Sequence, residues 1–460
     1  MEQVKASNPF LWIVAIGFFM ETLDSTIVNT ALPAMAQSLH ESPLSMHSVI
    51  IAYSLTLALL IPASGWFADR IGIRRVFLAA ITIFTLGSLF CALSPTLHFL
   101  VAARVLQGIG GSMMMPIGRL AILRLFPHEQ YLSALSFVAM PALVGPIIGP
   151  MLGGVLVQIA TWHWIFLINI PVGIVGFLFT LKYMPIIPSY IVPRFDLTGF
   201  LMLALGMVSI SVGLDGISEL GFQQVTVTLL VLFGFACVAA YVLHASKVGA
   251  PLFSLKLFQI RTFAVGLVGN LFSRVGSAGM PFLIPLFLQV SLGYSPVQSG
   301  MTMFPIAFAA MFARKYAPPL IDRFGYRRFL LFNTMLVGIS IICFVFVTEH
   351  ESAWLRILQL MIFGSANSLQ FSAMNSLTLK DLEAEGTSPG NSLFSMVQML
   401  AMSFGVAIAG ALLTSLHGYF TLHGGSSLDS FHSTFICMGT ITCFSTIIFA
   451  QLSASPEQDH

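Results

Sequence analysis

Gly65-Trp66-Phe67-Ala68-Asp69-Arg70-Ile71-Gly72-Ile73-Arg74-Arg75 is a short charged stretch between two long apolar runs. Its second part returns as Asp322-Arg323-Phe324-Gly325-Tyr326-Arg327-Arg328, with the same D-R-x-G-x-R-R spacing. Each copy lies between the second and third apolar runs of its half of the chain. A repeat of charged residues in so apolar a protein implies two related halves.

The chain has 460 residues, 57% of them hydrophobic and 8% charged, against about 25% charged in soluble domains. Its mean hydropathy is +0.91. That composition leaves too little polar surface for a soluble protein of this size, so the surrounding solvent is lipid. Five cysteines (Cys91, Cys237, Cys343, Cys437, Cys443) all fall in apolar runs without metal-type spacing and read as small packing residues. The first apolar run is too long for a signal peptide core and contains Glu21 and Asp24, so it is expected to be an uncleaved first membrane helix.

Apolar runs of spanning length, about 20 residues each, predict an all-α membrane protein with fourteen membrane helices. Their approximate positions are 10–31, 47–66, 76–94, 97–118, 130–155, 163–183, 197–214, 225–244, 262–288, 296–313, 329–347, 354–375, 391–414 and 432–451. The charges test this count. With the N-terminus in the cytoplasm, all of the 20 Lys and Arg except Arg104, Arg274 and Arg356 fall in inner loops or tails. The outer segments carry Glu41, Asp215, Glu219, Glu349, Glu351 and Asp429 instead. Removing one helix destroys this alternation downstream, so both termini are expected inside. The expected domains are a six-helix bundle over 10–183, two inserted helices over 197–244 and a second six-helix bundle over 262–451. Internal repeats of this kind underlie many secondary transporters, whose substrate sites lie near the bilayer midplane.

In each loop copy the aspartate can accept hydrogen bonds from a helix N-terminus, and the arginines face the cytoplasm. Gly65 permits close helix approach. Positive-inside anchoring alone explains the arginines. The shared Asp, Gly and Arg spacing is better explained by a latch that holds and releases the inner ends of the two bundles, built from Gly65, Asp69, Arg70, Gly72, Arg74 and Arg75 and from Asp322, Arg323, Gly325, Arg327 and Arg328.

Glu21 and Asp24 share one helix face and are expected to face a cavity rather than lipid. A desolvated carboxylate can exchange protons near neutral pH, which a proton-coupling site requires. The alternative is a permanent bridge from Asp24 to an arginine, for which Arg104 is the obvious partner. Arg104 shares a face with Gln107, Gly108 and Gly111. In the second half, Asn270, Arg274, Arg356, Asn367, Gln370, Asn391 and Gln398 are candidate cavity walls, although for each amide alone helix–helix hydrogen bonding is the plainer role. Arg274 has no carboxylate on its own helix. It either pairs with Asp24 or Glu21 or meets an anionic substrate.

Five stretches together resemble the major facilitator superfamily. The loop G-x-x-x-D-R-x-G-x-R-R resembles its signature between the second and third helices, although Pro318 replaces Gly65 in the second copy. Leu23-Asp24-Ser25-Thr26-Ile27-Val28-Asn29-Thr30-Ala31-Leu32-Pro33 resembles the first-helix signature of the fourteen-helix drug:proton antiporter branch. Arg104-Val105-Leu106-Gln107-Gly108-Ile109-Gly110-Gly111 resembles the fourth-helix motif. Gly145-Pro146-Ile147-Ile148-Gly149-Pro150-Met151-Leu152-Gly153-Gly154 resembles the fifth-helix antiporter motif. Trp162-His163-Trp164-Ile165-Phe166-Leu167-Ile168-Asn169-Ile170-Pro171-Val172-Gly173 also resembles the fourteen-helix branch, where Arg often stands in place of His163.

The resemblance implies a charge relay at Arg104. It also implies a bendable seal at Gly145, Pro146, Gly149, Pro150, Gly153 and Gly154, for which spacing alone equally allows ordinary small-residue packing. The function it implies is proton-coupled export of drugs by a single chain across the inner membrane. An excess of membrane arginines favours an organic anion, such as a carboxylate metabolite or its metal chelate, as the alternative cargo. A transporter-like sensor without flux is a remote alternative. No cofactor, metal or nucleic-acid partner is expected. No H-E-x-x-H or Walker pattern is present. The match of Gly386-Thr387-Ser388-Pro389-Gly390 to G-x-S-x-G lacks its strand context, so an enzyme is not expected.

Overall fold

The computed structural model describes residues 9–126, 128–186, 194–216, 224–348, 352–382 and 384–452. These residues form helices and short connections, with no strand among them. The chain divides into two units. The first is Met1–Phe195 with Ser295–Met301, and the second is Asp196–Tyr294 with Thr302–His460.

The first unit contains α1 (Pro9–Leu39), α2 (His47–Ile71), α3 (Ile73–Ala92), α4 (Leu97–Leu125), α5 (His128–Ile159), the single turn α6 (Trp164–Leu167) and α7 (Asn169–Tyr183). α1 lies along α5, and α4 packs against both α2 and α3. The 31 residues of α1 extend about 46 Å, well beyond the ~30 Å hydrocarbon layer. Thr96 starts α4 by accepting the Phe99 amide with its side chain at 3.3 Å.

The second unit contains α8 (Leu197–Gly216), α9 (Gln224–Ala245), α10 (Arg261–Ala278), α11 (Met280–Val290), α13 (Phe304–Ala313), α14 (Ala317–Ile342), α15 (Ala353–Leu379), α16 (Ala384–Leu422), α17 (Ser427–Phe444) and α18 (Thr446–Phe449). α12 (Pro296–Thr302) belongs, up to Met301, to the first unit. α8 pairs with α9 and also packs against α16. Large apolar side chains stay exposed along α7 and α9, among them Leu178, Phe179, Leu229 and Phe235. Such a surface suits lipid rather than water.

Twelve helical stretches among the described residues are long and apolar enough to cross a membrane. Two differences account for the gap from fourteen. One stretch, Pro296–Phe346, runs through two expected spans, 296–313 and 329–347. α15, over the expected span 354–375, carries Asn367, Ser368 and Gln370 and is less apolar.

Both copies of the charged loop bend at the same place. Gly72 has φ 98° between α2 and α3, and Gly325 has φ 73° inside α14. A side chain at either position is strained, which explains why glycine recurs there. In the first copy Asp69 pairs with Arg124 of α4, and Arg74 donates to the Leu181 carbonyl at the end of α7. That arginine satisfies an otherwise open helix C-terminus. The first loop therefore clasps α4 and α7 of its own unit. In the second copy Asp322 is exposed. Gly65 stands open, and a Cβ built there meets nothing within 4 Å. The close helix approach expected of it is not made.

Asp196 anchors the start of α8. It accepts the Gly199 amide at 2.9 Å, the Leu252 amide at 3.1 Å and His244 Nε2 of α9 at 2.8 Å. Burial pushes its carboxyl up, but these donors outweigh burial and hold it below the usual aspartate range. The resulting stabilisation is complete above the ordinary aspartate value and is lost as pH falls through the lowered folded value. Asp196→Ala is expected to cost about 1 kcal/mol and to speed hydrogen exchange at the Gly199 and Leu252 amides about fivefold. Unchanged protection at both amides would refute this anchoring role.

Candidate functional site

Five helices and the turn α6 converge on Asp24. The carboxylate is wholly buried, and Arg104 is 1% exposed. Arg104 Nη1 donates to Asp24 Oδ2 at 2.6 Å. Gln107 Nε2 and Asn169 Nδ2 donate to Oδ1 at 2.7 and 2.9 Å. Ser88 Oγ accepts from the same two amides at 2.7 and 3.3 Å. Arg104 also donates to Gln107 Oε1 at 2.6 Å and, through Nε, to the Val49 carbonyl at 3.4 Å. Its guanidinium lies over the Tyr53 ring, 4.2 Å from the centroid, and 5.8 Å from that of Phe166.

The glycines of the fourth-helix motif make this convergence possible. A Cβ at Gly110 would stand 2.4 Å from the Phe84 amide nitrogen, and one at Gly87 would stand 2.5 Å from Gln107 Cα. α3 and α4 thus touch backbone to backbone, which brings Gln107 against Ser88 and Cys91. Gly111 leaves room for the Tyr53 hydroxyl, which a Cβ there would approach to 2.7 Å.

Glu21 lies one turn before Asp24 on α1 and is 8% exposed. Its Oε2 is buried without a hydrogen-bond partner. The Tyr53 hydroxyl is likewise buried and unpartnered.

The fifth-helix motif packs on two sides within the first unit. Thr26 and Thr30 of α1 donate to the Gly145 and Pro150 carbonyls at 3.4 and 3.1 Å. Three prolines inside α5 each remove one bond of its helical ladder, and the two threonines tie the same stretch to α1 from outside. On another side α5 meets α12. A Cβ at Gly154 would lie 2.2 Å from the Pro296 oxygen, and one at Gly300 would lie 2.3 Å from the Pro150 oxygen. This seam has no room for side chains.

The candidate walls of the second half divide into two groups. Gln370 joins Asn333 and Thr334 of α14 at 2.8 and 2.7 Å, and Arg356 donates to the Tyr294 hydroxyl and the Thr348 carbonyl. Both residues hold helices and loops together. Asn270, Ser273 and Arg274 of α10 instead keep buried polar atoms without partners. Arg274 lies over Phe371 of α15 at 4.9 Å, and Arg314 approaches the same ring at 5.5 Å. No carboxylate pairs with Arg274 among the described residues.

A cavity of about 540 Å³ opens beside that ring, lined by Arg314, Phe371, Ser372, Asn375, Ser376, Leu379 and Lys380. Gln398 donates to Asn375 at 2.7 Å and fixes that wall. Asn367 and Asn391 are half-buried. No group of three potential metal ligands occurs among the described residues.

Tyr53, Ser88, Asn169, Arg314, Phe371 and Asn375 are the site residues that sequence reasoning did not assign. Asn169 stood inside a quoted motif, and its lone amide in an apolar run was the available signal.

The Major Facilitator Superfamily profile matches residues 14–406, and the chain belongs to that family. It is 49% identical over 455 residues to the "Putative multidrug resistance protein MdtD" of Escherichia coli (strain K12 / DH10B), covering 98% of this chain and 95% of the relative. The protein of the same name from Shigella boydii serotype 18 gives the same figures. Among solved structures, the POT family transporter PepTSo superposes with a TM-score of 0.72 at 14% identity, over 97% of both chains. The human organic anion transporter MFSD10 gives 0.64 at 15% identity, over 96% of this chain and 99% of its own. At such identities the likeness is one of fold. The chain is a multi-pass membrane transporter of small molecules, not an enzyme.

Proposed function

We propose that this transporter is a proton-coupled antiporter that exports small molecules, drugs among them, from the bacterial cytoplasm. It crosses the inner membrane fourteen times with both termini inside and acts as a monomer. The two related halves are residues 10–183 and 262–451, with the helix pair over 197–244 inserted between them. The binding region opens to one face at a time. The seam around Gly145, Gly149, Gly153 and Gly154 closes the outer side, and the loops at Asp69 and Asp322 control the inner one.

The observation that carries this reading is the acidic pair Glu21 and Asp24, buried in a membrane-spanning helix beside Arg104. Intramembrane acids are costly and mark ion pathways. The name shared by the relatives supports drugs as cargo. In proteoliposomes with an imposed pH gradient, a drug of the exported panel is expected to accumulate against its own gradient and to stop doing so when a protonophore is added. Flux indifferent to the protonophore for every panel member would overturn the coupling.

A second reading has its own support. Arg274 and Arg314 stand over Phe371, and Arg314 and Lys380 line the cavity beside it, with no carboxylate among the lining residues. Such a site suits an organic anion, such as a carboxylate metabolite or its metal chelate. On this reading Arg274→Ala abolishes export of a tricarboxylate and leaves export of a lipophilic cation intact. Tricarboxylate export that survives the substitution excludes it.

A further inference from the structure

The two acids of α1 are set in opposite surroundings. Asp24 takes three hydrogen bonds on its two oxygens, from Arg104, Gln107 and Asn169. Protonating it would leave Arg104 a buried cation without a counter-charge, a heavily disfavoured state. Glu21 retains a little exposure, and its Oε2 has no partner. The charged and titratable groups that reach Glu21 are Arg119 of α4, Tyr53 of α2 and Asp24 on its own helix. α5 presents none among its described side chains, and those of α7, Lys182 and Tyr183, stand at its C-terminal end. An ionised carboxylate with an orphaned oxygen costs far more in such a setting than a neutral acid does.

We propose that Glu21 carries the coupling proton, taking it from water on one side and returning it on the other. Asp24 stays ionised throughout as the fixed counter-charge of Arg104. This assignment rests on the proton-coupled reading above and names the carrier within it.

Infrared difference spectra of the full-length protein in lipid nanodiscs test it without any cargo. The scan runs upward from about pH 6, where exposed carboxyl groups, titrating near 4, are already ionised. The wild type is expected to show the carbonyl stretch of a protonated acid that disappears as the pH rises. Glu21→Gln abolishes this band, and Asp24→Asn retains it. Because glutamine matches the size and neutrality of the protonated acid, Glu21→Gln folds, and its spectrum decides the matter alone. A band that survives Glu21→Gln with its titration unchanged overturns the assignment. A band lost in Asp24→Asn and kept in Glu21→Gln moves the proton to Asp24 and leaves coupling intact. A wild type with no titrating acid overturns both the assignment and the coupling.

Discussion

Arg104→Met is expected to remove about 3–5 kcal/mol of folding stability. The substitution leaves Asp24 fully buried and charged, with only the amides of Gln107 and Asn169 to offset it. It also removes the guanidinium from the Tyr53 ring and the donor to the Val49 carbonyl. The apparent melting temperature in detergent falls steeply. The double variant Asp24→Leu/Arg104→Met regains most of the loss, since replacing both partners of a buried pair by apolar groups is often neutral. A single-variant drop smaller than about 2 °C would show that the pair holds little of the fold.

Gly154→Val acts on conformation more than on folding. Its Cβ would stand 2.2 Å from the Pro296 oxygen, which is backbone and cannot rotate away. Overpacking of this kind costs about 1–3 kcal/mol, charged only to conformations in which α5 and α12 touch. A bias of that size changes populations about 5–150-fold. Alkylation of a cysteine introduced by Val297→Cys, in a background lacking the five native cysteines, reads the seam directly. The reagent is expected to reach it faster by that factor when Gly154 is valine. Gly300→Val, facing the Pro150 oxygen, is expected to do the same. Equal labelling rates with and without these substitutions would mean that the seam does not regulate access.

Much of the fold was legible because membrane helices declare themselves by length and apolarity. The D-R-x-G-x-R-R repeat carried more. Its glycine is dictated by a backbone angle, so the same residue recurs wherever the same bend is made, as Gly72 and Gly325 show. The pairing of Asp24 with Arg104 was also within reach, since a buried charge requires a partner and few exist. Ser88 was not, because it is one small hydroxyl among several polar residues of α3, and only convergence in space gives it a role. Phe371 was hidden for a related reason. One aromatic among 41 phenylalanines carries no signal until two arginines are seen over its ring. Gly65 misled because a glycine in a signature reads as close contact, yet it meets open space.

The ion pair of Arg104 and Asp24 has an electrical consequence. Its charges are equal and opposite and lie 2.6 Å apart, so they move as a dipole with no net charge. The membrane potential does about 2.3 kcal/mol of work per elementary charge per 100 mV, and none of that work falls on this pair as it shifts. On the proton-coupled proposal, the work that this pair escapes falls on the proton and the cargo. One proton exchanged for a monovalent cation is then electroneutral, whereas one proton exchanged for an anion carries current. On that proposal, the current through reconstituted membranes reports the charge of the cargo.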